Sequence, residues 1–224
     1  MEKKEEEKKV GYLIAIECID NRFSKRVGEM LNEFFRKNKQ KSSVAFLAGK
    51  TEFEEQPKQK DKNKKGGNNQ QKPQAVEKPL GEFNDKLSPI AVYLDYGAKV
   101  AELIKEKINP KLDEGEIVIT HNFAVGAEAF FTYGLGLDSK KVKNINKCIY
   151  SKLRPDYTIF LDIFAEHIVK DARLKEKMEL TYLGYKRLLR KDRKLLIVNA
   201  ENKEDVILLH IVESLTKRGI IASE

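Results

Sequence analysis

The chain has 224 residues, 41% hydrophobic and 35% charged, with a net charge of +8 and a pI of about 9.2. That is enough chain for one domain with a real core, and no apolar run approaches the roughly 18 residues that a membrane helix needs. The opening MEKKEEEKK is polar throughout and has no signal-peptide pattern, so the expected setting is the cytoplasm, with no membrane attachment.

The net charge fits an acidic partner, either nucleic acid or a phosphorylated small molecule. Cys18 and Cys148 lie far apart in sequence and follow no metal-ligand spacing, and His121, His167 and His210 are too scattered for a zinc site. No metal site is expected from these residues. The Lys and Glu excess, with no Trp, fits a thermophile's composition.

In chain order, a charged tail over residues 1–9 precedes GYLIAI (11–16), a nearly continuous apolar run that reads as a buried strand. It empties through a short loop into a helical stripe of Val27, Met30, Leu31, Phe34 and Phe35. SVAFL (43–47) is a second strand. Residues 54–79 hold seven lysines against four acids, with Ala75 and Val76 as the only aliphatic residues. Such a segment buries too little apolar surface to offset its ordering entropy and reads as a disordered insertion.

A second helical stripe follows at Val100, Leu103, Ile104 and Ile108, with Lys107 as its one polar member. EIVIT (116–120), YTIFLD (157–162) and LLIVN (195–199) supply three more strands. The last helix carries Ile207, Leu208, Ile211, Val212 and Leu215, with Gly219 placed as its C-cap. Alternation of strand and helix predicts an α/β fold: a three-layer sandwich around a five-stranded parallel sheet. One domain over residues 10–224 is expected, interrupted only by the insertion.

Four blocks in order resemble the thymidylate kinase family, which has the P-loop nucleoside-monophosphate kinase fold. YLIAIECIDNRFSKRV (12–27) is similar to the family's strand and phosphate loop, F-I-x-F-E-G-x-D-G-x-G-K-S-T. KPLGEF (78–83) resembles its P-L-G-E turn, kept here in Gly81 and Glu82. EGEIVITHNFAVGAEAFFTYGLGLD (114–138) resembles E-G-x-x-V-I-S-D-R-Y, then S-x-x-A-Y-Q-G and G-L-D. KLRPDYTIFLDI (152–163) resembles L-x-P-D-L-T-I-x-L-D.

The resemblance implies where phosphate chemistry would sit, and that place is altered. A phosphate loop wraps its anion with backbone N–H groups, which calls for glycines, while a lysine neutralises charge and a hydroxyl holds Mg²⁺. Here Cys18, Asn21 and Phe23 stand at the glycine positions, Ser24 at the lysine and Lys25 at the Mg²⁺ hydroxyl. Phe23 puts a bulky ring where phosphate would lie, and Lys25, one residue late, points about 100° away. The family's D-R-Y becomes His121, Asn122 and Phe123, its A-D-R becomes Ala98, Lys99 and Val100, and its R-E-P-G turn becomes LAGKTE (47–52). The arginine-bearing lid shortens to KDARLKEK (170–177), with Arg173 alone. One transition-state arginine can be worth about 10³–10⁵ in rate, so these losses together predict little phosphoryl transfer.

Other matching positions survive. Glu17 and Asp20 occupy the family's loop acids, Tyr96 its base-stacking aromatic, and Phe123 the ring of its Tyr; these four are the candidate nucleotide contacts. Each also has a plainer role: aromatics pack in cores, and Asp20 can cap the following helix. His121 beside Asn122 reads as a polar group satisfied at a strand end. His167 and His210 receive no role, and Asp162 is expected to cap or turn.

Three readings remain at this stage. The first is a nucleotide-binding or protein-interacting pseudoenzyme, with a dTMP-like ligand, a homodimer through the family's helix faces, or another protein partner. The second is an active thymidylate kinase using ATP and Mg²⁺, with Lys25 or an insertion lysine replacing lost charge. The third is a nucleic-acid or polyanion binder acting through the 54–79 lysines.

Overall fold

The computed structural model describes residues 11–47, 87–168, 172–190 and 192–221. The charged tail, the 54–79 insertion, the KPLGEF block with Gly81 and Glu82, and all but the first residue of LAGKTE lie outside the described residues.

Five strands pair in parallel in the order β2-β3-β1-β4-β5. β1 (Tyr12–Glu17) is central, between β3 (Ile117–His121) and β4 (Tyr157–Asp162). β2 (Ser42–Ala45) and β5 (Leu195–Asn199) form the edges. The expected strands are all present, shifted by two residues at most. The register sets Ile16 of β1 opposite His121 of β3 and Ile14 opposite Tyr157 of β4. Parallel strands require crossovers long enough to hold helices, and those helices make the outer two layers of the expected sandwich.

β1 divides its side chains between the layers, as the period-2 geometry of a strand requires. Ile14 and Ile16 face a core shared with Val27, Leu31 and Phe35 of α1 (Asn21–Lys37) and Ile207, Ile211 and Leu215 of α7 (Glu204–Lys217). Leu13 and Ala15 face the opposite layer, against Val100 of α2 (Pro89–Leu103) and Tyr150 of α5 (Ser139–Tyr150). A third cluster joins Phe160 of β4 to Met178, Tyr185 and Leu189 of α6 (Ala172–Leu189).

The apolar stripe through Val100 and Ile108 stays on one face because α2 runs on through a wider turn, Ile104–Ile108, into α3 (Asn109–Asp113). A second wide turn, Ala129–Gly134, extends α4 (Ala124–Glu128). Helix starts follow their cap residues. Asp20 accepts from the Arg22 N–H at 2.9 Å for α1, and Ser88 precedes Pro89 for α2. Gly219 takes φ +70 just beyond α7, the left-handed geometry expected of it.

Two polar residues have duties other than those expected. Asp162 accepts from the Tyr182 hydroxyl at 2.8 Å and from Lys186 Nζ at 3.0 Å, so it ties β4 to α6 instead of capping a helix. His167 closes a short 3-10 turn, Ala165–His167, and its Nδ1 lies 2.9 Å from Glu201.

Phe35 is fully buried where α1 meets the sheet. Phe35→Ala is expected to cost about 3–5 kcal/mol of stability through lost transfer energy and a residual cavity, read as a lower urea midpoint at unchanged slope.

Candidate functional site

In an open parallel sheet, ligands bind beyond the carboxyl ends of the strands where the order reverses. Here that point lies beside β1, whose neighbours β3 and β4 lead away in opposite directions. Glu17 and Cys18 leave β1 at that end, and His121 and Asn122 leave β3 beside them.

The connection from β1 to α1 is three residues long: Cys18, Ile19 and Asp20. Cys18 and Ile19 are fully buried and Asp20 nearly so. Asp20 closes the turn. Its carboxylate accepts the Arg22 N–H and pairs with the Arg22 guanidinium at 3.2 Å, and its carbonyl accepts the Ser24 N–H at 3.1 Å. The Asp20 N–H donates to Cys18 Sγ at 3.4 Å. Asn21 and Phe23 are already inside the first turns of α1, and Phe23 packs against the α1–α7 core, not into an open loop.

Ser24 is fully buried. Its hydroxyl donates to the Asn21 carbonyl at 3.0 Å and lies 3.5 Å from His121 Nδ1. His121 Nε2 is buried without a hydrogen-bond partner, and the ring meets Phe46 edge-on at 5.0 Å. It is therefore not the satisfied strand-end group expected of it. Burial, aided by the nearby Lys25 charge, lowers its pKa to about 3, so the imidazole is neutral near pH 7. Lys25 is half-buried beside it, not a solvated surface lysine.

Asn122 joins the two strand ends. Its φ of 41° lies in the left-handed region, which Asn tolerates better than most residues. Its Oδ1 accepts the Cys18 N–H and the Tyr185 hydroxyl, each at 3.0 Å, and its amide donates to Asn21 Oδ1. Its backbone N–H donates to the Ile16 carbonyl, and its carbonyl accepts the Tyr96 hydroxyl at 3.0 Å. The sequence reading treated Asn122 only as a lost arginine and missed this role. An Asn directly after a strand end was the available signal.

Glu17 is 1% exposed. Its Oε1 accepts the Phe123 N–H at 3.0 Å. Oε2 lies near the Tyr185 hydroxyl and the Gly126 backbone but makes no well-formed hydrogen bond, since the single Tyr185 proton is directed to Asn122. Burial, opposed only by weaker contacts from Phe123, Tyr185 and Gly126, raises the Glu17 pKa to about 7. Burial likewise drives the Cys18 thiol pKa up, away from a reactive thiolate.

The two candidate aromatics are packing residues. Tyr96 lies 5.5 Å from the Phe131 ring, and Phe131 stacks at 4.4 Å on Tyr93. Phe123 is buried edge-on to Tyr150 at 4.6 Å. The sequence candidates Glu17, Cys18, Asn21, Ser24 and Phe123 thus do converge on one place, but as a hydrogen-bonded interior. Arg173 lies exposed in the first turn of α6. Among the described residues, no group of three or more His, Cys, Asp or Glu side chains could hold a metal ion, and no helix is long and apolar enough to cross a membrane.

This architecture, a parallel sheet with its switch point beside β1, is that of a P-loop-type kinase fold. The thymidylate kinase family model matches residues 74–214, more than half of the chain, and the chain belongs to that family. The matched residues begin after the β1–α1 connection. A thymidylate kinase of Thermoanaerobacter sp. strain X514 is 36% identical over 93 residues, covering 42% of this chain and 46% of that protein. One of Synechococcus sp. strain JA-3-3Ab is 33% identical over 103 residues, 46% and 50% of the two chains. One of Lactobacillus acidophilus is 29% identical over 154 residues, 62% and 71%. The chain therefore spans about half the length of the first two relatives.

Glu17→Gln tests the buried carboxyl. A folded pKa of about 7, above the ordinary 4.5, means that folding takes up a proton between those values. Glu17 therefore costs nothing below about pH 4.5 and progressively lowers stability as pH rises to about 7. The Gln variant should match the parent at low pH and exceed it by on the order of 3 kcal/mol above pH 7, read from urea unfolding at pH 4.5 and 8. An equal difference at both values would place Glu17 in a more polar setting than this one.

Proposed function

We propose that this member of the thymidylate kinase family does not transfer phosphoryl groups and acts as a pseudoenzyme through protein interaction, with at most weak nucleotide binding at the ancestral site. The observation that carries this reading is the β1–α1 connection. Only three residues join strand to helix, and the first-turn N–H of Arg22 is already taken by the Asp20 carboxylate. A phosphate cradle needs such N–H groups pointing at the anion.

The residues present do not fit Mg²⁺ and a triphosphate. The Ser24 hydroxyl is buried and committed to Asn21, and a neutral His121 stands where the family carries an acid. The dTMP-side aromatics support the same view. Tyr96 packs against Phe131 and Phe123 against Tyr150, leaving base-stacking to a rearranged state. A protein partner is favoured by α6, where Leu180 and Leu183, one turn apart, are both exposed, with exposed Phe164 on the segment between β4 and α6. Homodimerisation through such a face is one form this would take. The cytoplasm remains the setting proposed from the sequence.

The alternative, an active thymidylate kinase, is favoured by the relatives, which are called thymidylate kinases. It would need the β1–α1 turn to unwind and Lys25 to leave His121. Nucleic-acid binding through the 54–79 lysines has no support among the described residues.

Titration calorimetry with dTMP and with ATP·Mg²⁺, run beside a coupled ADP-release assay, separates these readings. The expected result is no turnover and no ATP·Mg²⁺ binding below millimolar concentration. Turnover that Lys25→Ala abolishes would overturn the pseudoenzyme reading in favour of the kinase.

A further inference from the structure

We propose a second anion site, away from the β1–α1 turn, that takes a small molecule bearing several phosphates. It lies where the wide turn after α4, the start of α5 and the end of α6 meet, around a cavity of about 910 Å³. The proposal stands whether or not the β1–α1 site is active.

Three cations line this cavity: Lys143 from α5, and Arg187 and Arg190 from the end of α6. Arg187 and Arg190 are exposed, and neither has a hydrogen bond or ion pair among the described residues. Lys143 has one acid partner, Glu128, at 3.7 Å. That contact is long for an ion pair.

Helix dipoles account for only part of this arrangement. A cation in the last turn of α6 is favoured by the carbonyl ends there, which explains Arg187. Lys143, however, is the fifth residue of α5, away from the carbonyl end of its helix, and gains no such help. Like charges brought to one cavity from two helices repel, and a bound anion would relieve the repulsion.

Two hydroxyls add direction. Ser139, the first residue of α5, lines the cavity beside the helix N-terminus. Thr132 also lines it, and its Oγ1 is shielded from solvent without a hydrogen-bond partner. A buried hydroxyl left unpaired costs free energy that a ligand oxygen can recover. On the apolar side stand Tyr133 and Leu188. The Tyr133 ring is held against Gly184, where an added Cβ would come within 2.7 Å of it.

Phosphate oxygens satisfy the cations and hydroxyls together, since guanidinium groups bind phosphate by paired charge-assisted hydrogen bonds. One phosphate uses little of so large a cavity. The class is therefore an oligophosphate, either free or carrying an organic group against the Tyr133 wall.

Metal-free calorimetry with tripolyphosphate and with ATP, at low and moderate salt, tests the site on the full chain. Both ligands should bind, more weakly at higher salt. Arg187→Ala with Arg190→Ala should weaken binding at least about tenfold, as loss of two charge-assisted contacts implies. The double variant should melt with the parent, since both side chains are exposed and unpaired. Lys25→Ala should leave binding unchanged. Equal affinity for the two ligands supports recognition of phosphate alone, and tighter ATP binding supports a contribution from the Tyr133 wall. Absence of binding at low salt, indifference to the double arginine variant, or loss on Lys25→Ala alone would each overturn the proposal.

Discussion

The carboxyl end of the sheet depends on one side chain, Asn122. Its side chain and backbone together bond three partners from the β1–α1 segment and two tyrosines, Tyr96 of α2 and Tyr185 of α6. Backbone groups buried this deeply must be paired, because an orphaned N–H costs about as much as a lost hydrogen bond. The Cys18 N–H points into the interior and has the Asn122 carboxamide as its partner. In a phosphate loop, groups of this kind would point at an anion. Asn122 turns them inward, and its left-handed backbone conformation is what brings its side chain back over β1.

Once the loop's donors are satisfied internally, the surrounding substitutions become mutually consistent. A short turn lets α1 begin at Asn21, and Phe23 then falls on the core side of the helix. Ser24 follows into the interior, where only a small side chain fits between α1 and β3. The sheet itself is indifferent to the exchange, because β1 is held by Ile14, Ile16, Leu13 and Ala15 and not by its loop.

The strands and their order were legible from apolar runs, since a doubly covered parallel strand writes itself as Val, Ile and Leu without interruption. The departures from the phosphate-loop pattern at Cys18, Phe23 and Ser24 are legible in the sequence as well. What replaced that pattern was not. That Asn122 would reach Cys18 and Tyr185 depends on a positive φ and on contacts 104 and 63 residues apart in sequence, which no local pattern encodes. His121 was misjudged for the same reason, because its orphaned Nε2 follows from Phe46 and α1 closing over it, not from its neighbours in sequence. The cavity between α5 and α6 joins residues that look like ordinary surface charges on two separate helices.

Two ionisable groups record the cost of removing the positive charges. Glu17 keeps the acid position of a phosphate loop, but the cations that would neutralise it there are absent, and a buried carboxylate without a counter-charge takes up a proton instead. His121 is the mirror case, a base kept neutral by burial and by the Lys25 charge. Their titrations oppose each other. Rising pH ionises Glu17 in the folded state and lowers stability between about 4.5 and 7, whereas falling pH favours protonation of His121 in the unfolded chain and lowers stability between about 6.5 and 3. Where the two windows overlap, the contributions of these two groups oppose each other. This balance requires both groups to stay buried, Glu17 beneath the Phe123 backbone and His121 beneath Phe46 and α1.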